Sequence, residues 1–265
     1  MQTHHVSAGG VRLAVHTSGQ GMPVVFLHAF PLDHRMWSAQ TPLAERCRLI
    51  MPDLRGFGGS RDAGPPQSIE QMADDVVALL DALHVDGPAT ICGCSMGGYV
   101  AQHVAARHPA RVRSLVLVDT KLEADSPEAR ASRVDLANKV RSIGTRILAE
   151  AMVPRMVANT AKGAAARQAE ITALLEGLIR GQEVDTIVAA LAALAARPDM
   201  TAAARGMEMP ALLVVGAEDA ITPPECLERA EAIMPRARLL IVPGAGHLVP
   251  LEAPKVFNAA LEAFL

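Results

Sequence analysis

Gly93-Cys94-Ser95-Met96-Gly97 sets a serine between two glycines, after an apolar run ending at Cys94 and before an apolar helical pattern opening at Met96. A strand that reverses into a helix over so few residues forces the central residue into strained backbone geometry. Small residues two positions away on each side relieve the crowding. Ser95 would then present its hydroxyl at the C-terminal rim of a sheet, where ligands bind in open α/β folds. A turn that merely connects two elements is the plain alternative, and the strand and helix on either side weigh against it. A serine hydroxyl is a weak nucleophile at neutral pH and needs a general base. His247 has the setting for one, in the glycine-bearing loop Val242–Pro250 just after the last strand-like run. The base needs a carboxylate to fix its tautomer and stabilise the imidazolium. Asp219 follows the apolar run Ala211–Gly216, and Ser…Asp…His is one of the chain orders in which such triads occur. Glu218 adjoins it but points away if the loop starts extended. Asp119, at the end of Arg113–Val118, is a rival on the same rim.

This constellation is suited to acyl transfer, which also needs hydrogen-bond donors where the oxyanion develops. The backbone N–H of Met96, at a helix start, is one candidate. Phe30, in Leu27-His28-Ala29-Phe30-Pro31-Leu32-Asp33, is the other, chosen by position in the loop after a strand rather than by residue type. His28 is read as a brace of that loop, not as a base.

The elements that must position these residues alternate along the first half of the chain. Val11–His16, Val24–His28, Arg48–Pro52, Ala89–Cys94 and Arg113–Val118 read as strands, with helices over Gln67–His84 and Met96–Arg107. Such alternation specifies parallel strands joined by crossover helices. Runs such as Val24-Val25-Phe26-Leu27 lack polar alternation, which fits central strands covered on both faces. From about Leu122 to Arg205 the chain is rich in Ala, Arg, Glu and Met. It reads as helices near Pro127–Val140, Thr145–Val157, Ala165–Gly181 and Val184–Ala196. Strand Ala211–Gly216, helix Pro224–Met234, strand Arg238–Val242 and helix Lys255–Leu265 follow. An all-helical stretch between two strands predicts a cap over one rim: residues 1–121 and 206–265 as the core, 122–205 as the lid.

Composition narrows the function classes. The chain has 265 residues, half of them hydrophobic, enough to bury a sizeable core, and its net charge is −3 with both signs interspersed. No Lys/Arg run with interleaved aromatics marks a nucleic-acid partner. Residues 1–10 are polar, without the apolar stretch of a secretory signal, and the longest apolar run, Ile187–Ala196, is about half a membrane span. A cytoplasmic protein without membrane contact is the expectation. Cys47, Cys92, Cys94 and Cys226 read as small buried side chains. No metal or cofactor site is expected, since the histidines lack ligand spacing and His4-His5 lie in what reads as a loose terminus.

The triad motifs, with Pro52-Asp53-Leu54-Arg55-Gly56-Phe57-Gly58-Gly59-Ser60, resemble the α/β-hydrolase superfamily over nearly the whole chain. The segment Leu27–Asp33 with Trp37, and Ser95-Met96-Gly97-Gly98, is similar to the branch of small carboxylesterases, enol-lactonases and cofactor-free haloperoxidases or perhydrolases. The resemblance implies an eight-stranded, mostly parallel sheet flanked by helices, with an inserted helical cap. Ala29 departs from the glycine common after that histidine; its methyl narrows the loop without removing N–H donors. Related enzymes acting on epoxides or haloalkanes use an aspartate nucleophile, which Ser95 argues against.

The leading expectation is hydrolysis of a small carboxylic ester or lactone through an acyl-enzyme. Trp37, Leu148, Met152, Met156, Leu178 and Leu248 are candidate pocket residues, with lid packing as the competing reading. Carbon–carbon bond hydrolysis and perhydrolysis would use the same triad, although no Arg or Asn constellation for a substrate carboxylate stands out. A ligand receptor on the same fold is the reading from another class. Oligomeric state is left open.

Overall fold

The apolar runs build the middle of an eight-stranded sheet, in a computed structural model that describes residues 1–158 and 165–265. The strands are β1 (Gln2–Ala8), β2 (Val11–Ser18), β3 (Pro23–Leu27), β4 (Arg48–Pro52), β5 (Ala89–Cys94), β6 (Val112–Val118), β7 (Ala211–Gly216) and β8 (Ala237–Val242). Their spatial order is β1-β2-β4-β3-β5-β6-β7-β8. β1 runs antiparallel to β2 and β2 antiparallel to β4; every other pair is parallel. β5 and β7 are buried at every position, as expected of strands without polar alternation.

Chain order reverses at β3. The next strand, β4, lies on one side of it and β5 on the other, which opens a crevice beyond the carboxyl ends of β3 and β5. The loops after those two strands carry Phe30 and Ser95. Helix α1 (Ile69–Ala82) starts where Ser68 accepts the Gln71 N–H at 3.1 Å, and α2 (Met96–Arg107) packs against it.

Between β6 and β7 lie α3 (Pro127–Ile143), α4 (Arg146–Met156), α5 (Ala165–Arg180), α6 (Val184–Ala196) and α7 (Thr201–Ala204), with no strand among the described residues. Helices α8 (Glu225–Glu231), α9 (Val249–Glu252) and α10 (Pro254–Phe264) complete the chain. No helix among the described residues is long and apolar enough to cross a membrane.

One expectation is corrected at the N-terminus. Residues 2–8 form an edge strand rather than a loose segment, with His4 opposite Val15 and Ala8 opposite Val11. Gly9 and Gly10, at φ +55° and +83°, make the two-residue turn whose twist suits a hairpin. The strand is exposed at most positions, so its sequence carries no apolar alternation; the Gly-Gly pair was the readable signal.

Candidate active site

Ser95 sits at φ +50°, ψ −110°, a region that non-glycine residues rarely occupy and that costs about 1–3 kcal/mol. The surroundings hold it there. Its N–H donates to the Val118 carbonyl at 2.9 Å, and its own carbonyl accepts from the Tyr99 N–H at 3.1 Å and the Thr120 hydroxyl at 2.9 Å. The crossing is so tight that a Cβ on Gly93 would collide with the Gly97 carbonyl, and one on Gly97 with the Leu27 carbonyl. The two glycines of the pentapeptide are therefore backbone-contact residues, as their spacing predicts.

The Ser95 hydroxyl lies 2.9 Å from His247 Nε2, and His247 Nδ1 lies 2.8 Å from Asp219 Oδ2. Both partners of the second contact are buried. Asp219 Oδ1 accepts the Ile221 and Thr222 N–H groups at 2.8 and 2.9 Å, and Oδ2 accepts the Thr222 hydroxyl at 2.7 Å. Burial by itself would raise the Asp219 pKa. Attraction and hydrogen bonding from His247, then the Thr222 and Ile221 amides, outweigh it and hold the carboxyl below the ordinary range. With Asp219 ionised, His247 keeps its proton on Nδ1, and Nε2 is left as an acceptor facing Ser95.

The rival acid is occupied elsewhere. Asp119 Oδ1 accepts the Gly216 N–H at 3.0 Å and Oδ2 the Val249 N–H at 2.9 Å, so it ties the end of β7 to the start of α9. Burial, reinforced by repulsion from Asp219, pushes its carboxyl well above the usual range. The loop carrying His247 is clamped further by Glu252, which was not singled out from sequence. Its Oε1 accepts the Gly246 and Leu248 N–H groups at 3.0 and 3.2 Å, while Oε2 accepts the Ala158 N–H at 2.7 Å. The His247 N–H itself donates to the Met156 carbonyl at 3.0 Å, which joins the histidine loop to the end of α4.

Met96 is the first residue of α2, so its N–H has no acceptor within the helix. Neither that group nor the Phe30 N–H has an acceptor among the described residues. His28 braces the Phe30 loop: Nε2 accepts the Leu54 N–H at 2.9 Å, and Nδ1 lies 3.1 Å from the Ala29 carbonyl. Burial lowers its pKa, which fits a neutral ring with one donor and one acceptor.

Among the described residues, His16, His34 and Asp53 form one group whose atoms are close enough for a metal ion. Their arrangement reads as a brace. The two rings stack with centroids 3.3 Å apart and planes within 15°, so their in-plane lone pairs do not converge on one point. Asp53 is already engaged: Oδ1 takes the His34 N–H and Nδ1 at 2.9 and 2.7 Å, and Oδ2 takes the Gly59 N–H at 2.7 Å.

A cavity of about 350 Å³ borders this machinery. Phe30 and Thr222 line it; Ile221, Leu136, Met152 and Leu191 supply apolar wall from the β7 loop, α3, α4 and α6.

The family profile described as the alpha/beta hydrolase fold matches residues 22–254. The chain belongs to the α/β hydrolase fold family. Its structure superposes on that of a thermophilic esterase from Thermogutta terrifontis with a TM-score of 0.93 and 35% identity, covering 99% of this chain and 97% of that one. A pimeloyl-[acyl-carrier protein] methyl ester esterase of Nitrosomonas europaea is 30% identical over 259 residues, 94% of this chain and 98% of its own. The enol-lactonase from Burkholderia xenovorans LB400 matches with a TM-score of 0.89 and 26% identity, over 98% and 99% of the two chains.

Within this α/β hydrolase, the structure brings Ser95, His247 and Asp219 into one hydrogen-bonded line, with Met96 next to Ser95 in the chain and Phe30 in the loop after β3. The structure places the six pocket candidates unequally. Of the six candidates only Met152 lines the cavity. Trp37 is fully buried in core, its ring 5.1 Å from Phe26 and 6.1 Å from Phe257. Leu148, Met156, Leu178 and Leu248 are also fully buried and absent from the cavity wall. An apolar residue at helical spacing goes to whichever face its helix packs, and periodicity does not distinguish packing from lining. Thr222, which touches both Asp219 and His247, was missed; a threonine three residues after the acid was its one readable signal.

Proposed function

We propose that the protein is a serine hydrolase that cleaves small carboxylic esters or lactones through an acyl-enzyme. The observation that carries this reading is the continuous hydrogen-bonded line from Asp219 through His247 to Ser95, together with the Met96 and Phe30 N–H groups, which have no acceptor among the described residues. Ser95 Oγ attacks the carbonyl carbon as its proton passes to His247 Nε2. Asp219 holds the imidazolium by its Nδ1–H. The tetrahedral oxyanion lies between the Phe30 and Met96 N–H groups, each such donor contributing roughly 2.7–4 kcal/mol to transition-state stabilisation. Collapse breaks the bond to the leaving oxygen, which takes the proton from His247. Water then repeats the sequence on the acyl-serine and releases the acid.

The similarity to proteins named as esterases and an enol-lactonase supports the same chemistry. Residues 122–205 act as a lid in this reading, because Met152, Leu136 and Leu191 come from that segment and form wall beside Phe30. The test is hydrolysis of p-nitrophenyl acetate and butyrate and of simple lactones. Turnover by the native chain and its loss in Ser95→Ala are expected; undiminished turnover in Ser95→Ala overturns the proposal.

A further inference from the structure

We infer that the cavity beside the triad binds a carboxylate carried by the acyl part of the substrate, so that the preferred ester is a half-ester of a dicarboxylic acid. The inference rests on the ester-hydrolase reading above and deepens it.

The apolar wall accounts for only part of the cavity. Lys121, Arg133, Arg155 and Asp125 also line it. Asp125 is the one carboxylate among the lining residues, and it is oversubscribed. Arg133 Nε donates to its Oδ2, Arg197 Nη1 lies 2.8 Å from Oδ1, and Lys121 Nζ lies 3.5 Å from Oδ1. Arg197 is fully buried behind the wall, its guanidinium 4.1 Å from the Tyr99 ring centroid. One negative charge thus faces three cations before Arg155 is counted.

Arg155 has no carboxylate partner among the described residues. Its one protein hydrogen bond there is to the Ala220 carbonyl, at 3.5 Å. A guanidinium presents a fork of donors matched to a carboxylate, and here most of that fork is unused. This surplus of positive charge stands in a chain whose net charge is −3, so it is a local feature and not a reflection of composition. Low-dielectric walls concentrate such a field within a cleft.

Phe30, which carries one of the proposed oxyanion donors, and Thr222, which touches Asp219 and His247, both line the cavity, so a group seated there lies beside the carbonyl held at Ser95. The two half-reactions decide which part of the substrate carries the anion. The acyl part remains on the enzyme through both half-reactions, whereas the alcohol leaves after the first. A subsite for the acyl end therefore stabilises both transition states. Leu136, Met152, Leu191 and Ile221 would contact the methylene chain, and Arg155 and Lys121 the terminal carboxylate.

The experiment compares monomethyl with dimethyl esters of glutaric and adipic acid, reading the ratio of kcat/KM for the half-ester to that for the diester. In the native chain the ratio is expected to be about tenfold in favour of the half-ester, the scale of a partly exposed charge-assisted contact. It should fall several-fold in Arg155→Gln and in Lys121→Gln, and below one in Arg155→Glu. Because it is a ratio within one variant, general losses of activity cancel. Raising salt from 0.05 to 0.5 M should reduce it in the native chain and barely change it in Arg155→Gln. Good turnover of the diester with a native ratio of one or less overturns this inference alone, as does a ratio indifferent to Arg155→Gln and Arg155→Glu. Hydrolysis of neither ester, with p-nitrophenyl butyrate still cleaved by the native chain, overturns this inference alone; failure to cleave all three overturns the ester-hydrolase reading with it.

Discussion

Replacing Asp219 by asparagine changes two atoms' chemistry without changing volume, and the hydrogen bonds around it dictate the outcome. Oδ1 is fixed as an acceptor by the Ile221 and Thr222 N–H groups, which cannot reverse their polarity. The asparagine oxygen must occupy that position, which turns its NH₂ toward Thr222 Oγ1 and His247 Nδ1, where Oδ2 accepted at 2.7 and 2.8 Å. Nδ1 then has to accept, and the ring proton moves to Nε2. Nε2 faces Ser95 Oγ at 2.9 Å as a donor, so the serine has no base. A wrong-tautomer histidine of this kind lowers kcat by about 10⁴-fold, some 5.5 kcal/mol of barrier. Asp119→Asn is the matched control. It exchanges one of two carboxylate acceptors for a donor against the Gly216 or Val249 N–H, which costs roughly 1–3 kcal/mol of stability while kcat stays within about tenfold. The assay is steady-state hydrolysis of p-nitrophenyl butyrate from pH 6 to 9, with thermal melts of each variant. Retention of a tenth or more of kcat in Asp219→Asn, or an equal loss in Asp119→Asn, would refute the assignment of the acid.

Three further outcomes follow from other contacts. Gly93→Ala should lower thermal stability by about 1–3 kcal/mol and activity along with it, because the new methyl must displace the Gly97 backbone that sets the Ser95 turn; an unchanged melt and rate would contradict the tight crossing. Asp75→Ala strips the half-buried Arg55 guanidinium of a two-pronged contact at 2.6 and 2.7 Å, and a loss of about 1.5–3 kcal/mol in denaturant unfolding is expected. Asp125 works against a burial penalty, yet Arg133 and then Arg197 bring its pKa from 3.8 down to about 2. A depressed carboxylate stabilises fully above its unfolded value and loses that contribution as pH falls through its folded value. The stability advantage of the native chain over Asp125→Asn should therefore hold above pH 4 and shrink between pH 4 and 2, as followed by melts across that range.

The hydrogen-bonded line of Ser95, His247 and Asp219 was readable because its signals are local. Ser95 needs a strand, two glycines and a helix in register, and all of them lie within a few residues of it. His247 and Asp219 each follow an apolar strand on the same rim, which topology alone brings together. The choice between Asp219 and Asp119 was less legible, since both sit at strand ends; it turns on backbone donors at Gly216 and Val249 that belong to other segments. β1 escaped notice because an exposed edge strand has no core face to write into its sequence. The cavity was the least legible part. Its charges come from Lys121 in the loop after β6, Arg133 on α3 and Arg155 on α4, so no linear motif gathers them. Trp37 went the other way, an aromatic near a motif that the fold spends on core packing.

The most direct measurement is covalent labelling of the native chain by diethyl p-nitrophenyl phosphate, followed by intact-mass and peptide-mass analysis. The phosphoryl group reacts with an activated serine oxygen and expels p-nitrophenol, leaving a stable adduct. One diethylphosphoryl group per chain on the peptide containing Ser95 is expected, with none in Ser95→Ala and sharply slowed labelling in Asp219→Asn. No adduct on the folded native chain, or an adduct on a residue other than Ser95, would contradict the nucleophile at the centre of the proposed mechanism.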